Sequence, residues 1–101
     1  MSLPNFMCIG ASKSGTTSLY DILKQHSDVF VPSFKEPHFF NISTVYEHGI
    51  FWYDKTYFSG VKNEKCIGDF TPTYLFDKSA PERILSSLGK DMKFIIILRN
   101  P

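Results

Sequence analysis

The sequence predicts an α/β fold, a parallel sheet flanked by helices, on three observations. Short unbroken apolar runs, chiefly Phe6-Met7-Cys8-Ile9 and Phe94-Ile95-Ile96-Ile97-Leu98, have the make-up of strands buried on both faces. Segments with apolar residues at helical spacing alternate with such runs, as strand–helix–strand units with right-handed crossovers require. A glycine-bounded loop joins the first strand directly to the first helix.

Taken in order, Phe6 to Ile9 is a strand ended by Gly10. The first helix is capped by Thr16 or Thr17, places Leu19, Tyr20, Ile22 and Leu23 on one side, and ends near His26. Val29-Phe30-Val31 is a second strand stopped by Pro32, and the proline-bound segment Ser33 to Pro37 is a loop. From Tyr46 to Phe58 aromatic residues crowd into an irregular helix lying on the core, with a base-stacking platform as the alternative. Lys65 to Gly68 is a third strand. Ser79, Pro81 and Glu82 start a helix with Ile84, Leu85 and Leu88 as its buried stripe and Gly89 as its stop. Phe94 to Leu98 is the strongest strand, and no later element covers it. The expectation is the front part of a longer domain, or an oligomer whose partner supplies the missing layer; a complete minimal domain is the alternative.

Length and composition restrict the function. One domain of 101 residues with 43% hydrophobic and 21% charged residues is globular rather than disordered, and ten Phe predict a core of bulky rings. A net charge of +1 excludes a surface that binds nucleic acid through counterion release, so any anion must be held by local geometry. Cys8 and Cys66 lie in apolar runs, away from any His or Cys at metal-ligand spacing, and read as reduced core residues; no metal is expected. No apolar stretch reaches the roughly 20 residues of a membrane span, and a cytoplasmic protein is the default.

The loop Gly10-Ala11-Ser12-Lys13-Ser14-Gly15-Thr16-Thr17 carries the chemistry. Placed between strand and helix, its N–H groups and the positive helix end converge on a volume that suits a phosphate or sulfate. Gly10 and Gly15 have the separation of a Walker A loop, but that loop needs Lys directly after the second glycine. Thr16 stands there, and the cation, Lys13, sits earlier. The loop is P-loop-like with its charge moved.

Here the sequence resembles the sulfotransferases that use 3′-phosphoadenosine 5′-phosphosulfate (PAPS), in particular the heparan sulfate branch and its bacterial relatives. Four ordered landmarks carry the resemblance: Lys13-Ser14-Gly15-Thr16-Thr17-Ser18, Lys35-Glu36-Pro37-His38-Phe39-Phe40, Gly68-Asp69-Phe70-Thr71-Pro72-Thr73-Tyr74 and Leu98-Arg99-Asn100-Pro101. They span nearly all of residues 1–101, the N-terminal part of such a domain, with donor loop 10–18 and a strand at 93–99 leading to Arg99. The resemblance implies that Lys13, Ser14, Gly15, Thr16, Thr17 and Ser18 hold the donor's 5′-phosphosulfate, with Lys13 also stabilising charge as the S–O bond breaks. It makes Glu36 the general base toward a hydroxyl or amine acceptor, carbohydrate among them, with His38 hydrogen-bonding the acceptor or orienting Glu36. Arg99 pairs with the donor's 3′-phosphate; the Ser that usually joins it, several residues further on, would fall beyond Pro101. Phe70 departs from the heparan branch, which often carries Lys there. Asp69 and Tyr74 line the acceptor cleft or are a turn-capping Asp and a core Tyr, Phe39 and Phe40 anchor the core, and His26 and His48 are structural. The competing functions are a P-loop nucleotide kinase or phosphotransferase and a non-catalytic nucleotide-binding fragment.

Overall fold

The computed structural model describes residues 2–10, 16–33 and 36–96, with residues 16 and 17 described by backbone alone. Its elements are β1 (Phe6–Cys8), α1 (Thr16–Lys24), β2 (Val29–Phe30), α2 (Ser43–Tyr46), α3 (Ile50–Tyr57), β3 (Cys66–Phe70), a 3-10 helix (Pro72–Phe76), α4 (Ala80–Leu88) and β4 (Lys93–Ile95). The four described strands form one sheet in the order β2-β3-β1-β4, parallel throughout. The predicted α/β class is the observed one.

β1 is the centre because all three of its residues are buried. Alternation divides them: Phe6 and Cys8 join Tyr20, Val31 and Phe70 on one face, while Met7 joins Phe39, Phe40, Tyr53, Phe58 and Tyr74 on the other. Each face of the sheet thus has its own apolar layer, α1 on the first and the aromatic elements with α4 on the second. In register, Phe6 lies opposite Gly68, where a Cβ would come within 2.2 Å of the Phe6 ring. The glycine gives that ring its place.

Two expected apolar stripes and one expected core cysteine shift. On α1, Tyr20 is buried and Leu19 and Leu23 half-buried, but Ile22 is 65% exposed. At 3.6 residues per turn Ile22 points roughly 110° from the centre of the arc set by the other three. On α4 the buried line is Ala80, Ile84 and then Leu88, an i, i+4, i+8 series, and Leu85 is 57% exposed. Cys66, expected in the core with Cys8, is exposed: it opens β3 beside edge strand β2, and burial on β3 begins two residues later.

The aromatic segment is two helices rather than one. Gly49, at φ +90°, breaks it between α2 and α3 in a region that only glycine enters freely. Most of its rings pack on the core: Tyr53 and Phe58 are fully buried, and Tyr53 stacks on Phe39 with centroids 4.4 Å apart, while Phe51 alone of the segment's large rings is 72% exposed. α4 stops at Gly89 as expected, at φ +85°, but Ser79 makes no side-chain cap; Asp77 Oδ1 instead accepts from the amides of Ser79 and Ala80 at 2.8 and 2.9 Å. β4 lies at the edge of the described sheet, with Phe94 49% and Ile96 47% exposed. Residues 97 and 98 of the strand predicted there fall outside the described residues. Among the described residues no helix is long and apolar enough to cross a membrane.

Candidate active site

Parallel strands end on one edge, so the segments that leave β1, β2, β3 and β4 all leave the same side of the sheet. In open α/β sheets that edge gathers ligands. The segment after β1 is the glycine-bounded loop, that after β2 holds Glu36 and His38, and that after β3 holds Thr71. At the root of the loop Gly10 is packed so closely that a Cβ would lie 2.4 Å from Ile96 Cγ2. Lys13, Ser14, Gly15 and Arg99 lie outside the described residues. Thr16 and Thr17 open α1, whose first turn carries no acidic residue, and Ser18 is exposed in that turn. A helix start without a carboxylate fits an anionic donor.

On the neighbouring segment the carboxylate and imidazole are together: His38 Nε2 lies 3.3 Å from Glu36 Oε1, with 31% and 40% of their side-chain surfaces exposed. Asn41 Nδ2 lies 3.1 Å from His38 Nδ1. With the Asn41 amide as donor, Nδ1 accepts and the ring proton sits on Nε2, toward Glu36. His38 takes φ +56°, and its neighbours Pro37, Phe39 and Phe40 are buried, so the two polar side chains project from an anchored strip of chain. Tyr20 ties this strip to α1: its hydroxyl donates to Pro32 O at 2.5 Å.

Behind the strip lies Asp69, fully buried. Its Oδ1 accepts from Thr71 Oγ1 at 2.7 Å, and its Oδ2 from the hydroxyls of Tyr53 at 2.5 Å and Tyr74 at 3.0 Å. Burial pushes its carboxyl up, and the three hydroxyl donors work against that shift. Burial, with the neighbouring Asp69 charge, holds the Tyr53 and Tyr74 phenols well above their ordinary range, so both stay donors. Of the two readings of Asp69 and Tyr74, the buried one is correct, and neither side chain lines an open cleft. Phe39 and Phe40 are core anchors, as expected.

A sulfotransferase domain family matches residues 3–101. The chain belongs to that family. It is 39% identical to the membrane-associated sulfotransferase kil1 of Dictyostelium discoideum, over 100% of this chain and 21% of that protein. It is 38% identical to heparan sulfate glucosamine 3-O-sulfotransferase 3B1 of Homo sapiens, over 98% of this chain and 24% of that protein. The crystal structure of a sulfotransferase from Alicyclobacillus acidocaldarius superposes with a TM-score of 0.80 at 31% identity, covering 95% of this chain and 44% of the other. The chain therefore spans a fifth to a quarter of the curated relatives named here.

In this sulfotransferase domain Phe70, the last residue of β3, is buried beneath α1, edge-on to Phe6 at 6.1 Å and to Tyr20 at 5.5 Å. Sequence reasoning found Glu36 and His38, which the fold does bring together. It missed Asn41 and Thr71. The Asp69-x-Thr71 spacing was a usable signal, since residues two apart on an extended chain share a face; Asn41 gave none.

Proposed function

We propose that this domain binds PAPS and serves transfer of its sulfuryl group to a hydroxyl or amine acceptor, with carbohydrate the favoured class. The observation that carries the reading is the half-exposed Glu36–His38 pair, standing on the same sheet edge as the loop-to-α1 start in a chain of the sulfotransferase family. Bound at that edge, the donor supplies an activated sulfuryl group on a 5′-phosphate leaving group. Glu36 takes the proton of the acceptor hydroxyl or amine on its carboxylate as that group attacks, and His38 Nε2–H keeps the carboxylate oriented. Lys13 and the main-chain N–H groups of Ser14, Gly15, Thr16 and Thr17, with the Ser18 hydroxyl, offset the negative charge that grows on the departing phosphate. Arg99 offers a fork of donors for the 3′-phosphate. The reading needs no metal, because a sulfuryl group carries less charge than a phosphoryl group.

The acceptor class is supported by the name of the human relative, which specifies heparan sulfate glucosamine. A cytoplasmic location is one reading and a membrane-associated one the other, as the Dictyostelium relative is named; cell fractionation of the full-length protein decides between them. The function is tested by calorimetry with adenosine 3′,5′-bisphosphate and with ATP plus magnesium. Binding of the bisphosphate is the expected outcome. Tight magnesium-dependent ATP binding in its place would return the loop to the phosphotransferases.

A further inference from the structure

Asp69 has no part in the transfer chemistry above, yet it is the most completely enclosed charged group among the described residues. Of the three hydroxyls that donate into it, two also accept from the main chain of the Glu36 segment. Thr71 Oγ1 accepts from His38 N at 3.4 Å, and the Tyr74 hydroxyl oxygen accepts from Phe39 N at 3.1 Å and Phe40 N at 3.4 Å. A hydroxyl has one proton, and once it is committed to a carboxylate only the lone pairs face outward. The buried acid thereby sets the direction of every bond in the relay and makes both hydroxyls acceptors for three consecutive amides. These are the amides that hold His38 at φ +56°, the conformation in which its Nε2 reaches 3.3 Å from Glu36 Oε1.

We infer that Asp69 is a positioning residue: through Thr71 and Tyr74 it fixes the backbone from His38 to Phe40 and so aims the Glu36–His38 pair. The inference rests on the sulfuryl-transfer reading for its functional meaning and on the hydrogen-bond geometry for its structural one. Tyr53 is the internal control, because its hydroxyl donates to Asp69 but meets none of the three amides.

The test compares Asp69→Asn, Thr71→Val, Thr71→Ser and Tyr53→Phe in the full-length protein, reading kcat, the donor KM, thermal stability and hydrogen exchange at His38, Phe39 and Phe40. Thr71→Val and Asp69→Asn are expected to lower kcat at least about tenfold, part of the roughly hundredfold that a misplacement of ~1 Å costs, with the donor KM unchanged. Thr71→Ser restores the rate, and Tyr53→Phe lowers the melting temperature without lowering kcat. Equal losses of kcat in Tyr53→Phe and Thr71→Val, or an unchanged rate in Thr71→Val, overturn the inference. Should Asp69→Asn not fold, the Thr71 pair decides alone. A full-length protein that transfers no sulfuryl group defeats the functional reading only. In that case faster exchange at His38 in Thr71→Val upholds the tie, and unchanged exchange refutes it.

Discussion

Glu36 keeps enough exposed surface for an acceptor to approach while its partner His38 is held from behind. Removing its charge but not its shape, in Glu36→Gln, is expected to lower kcat by about 10²–10⁴, the usual worth of a general base. Affinity for adenosine 3′,5′-bisphosphate should stay as it was, which titration of the same variant checks. A second residue-scale expectation concerns pH. The Tyr53 and Tyr74 phenols are raised in the folded protein above the ordinary 10.0, so their contribution is whole below pH 10.0 and is lost as pH rises through the folded value. Urea unfolding on either side of pH 10.0 should show stability falling with pH, more gently in Tyr53→Phe. Glu36 and His38 were legible because they sit two residues apart in one motif. The Asp69 relay was not, because it joins His38 to a position 33 residues away, and no local pattern encodes such a distance.

Among the elements, local rules succeeded where a single residue decides the outcome. Gly89 was expected to end α4 and does so, at φ +85°, whereas the strand expected to run through Ile9 to Gly10 already ends at Cys8. The rules failed where neighbours decide. Leu85 and Ile22 are as apolar as the residues beside them, and only the arc each helix presents to the sheet leaves them out. Cys66 lies in a strand, but on its exposed end. The start of α4 is a third case, since Ser79 suits a cap by type while Asp77, two residues earlier, reaches the amides. Asp77→Ala should therefore cost about 1 kcal/mol of stability, and Ser79→Ala much less, the ordinary range for loss of an N-terminal cap. Chemical denaturation of the pair measures the difference.

For the molecule as a whole, the common strand direction brings the segments with candidate chemistry to one edge, and that direction was legible from strand-like runs alternating with helical ones, whereas the order β2-β3-β1-β4 was not. Ligand binding there should stabilise the fold in proportion to occupancy. With adenosine 3′,5′-bisphosphate at a hundred times its dissociation constant, the gain is expected to be about 2.7 kcal/mol. Thermal melts of the full-length protein should lose that gain in Lys13→Ala. The same strand order governs how the chain is made. β1 finds its neighbours only at Gly68 on one side and Lys93 on the other, so a ribosome must add the whole intervening stretch before the middle of the sheet has anything to pair with. At roughly 5–20 residues per second this leaves an apolar segment waiting roughly 3–12 s for Gly68. Through that interval β1 is an unpaired apolar segment, the kind of surface that makes an incomplete chain prone to aggregate.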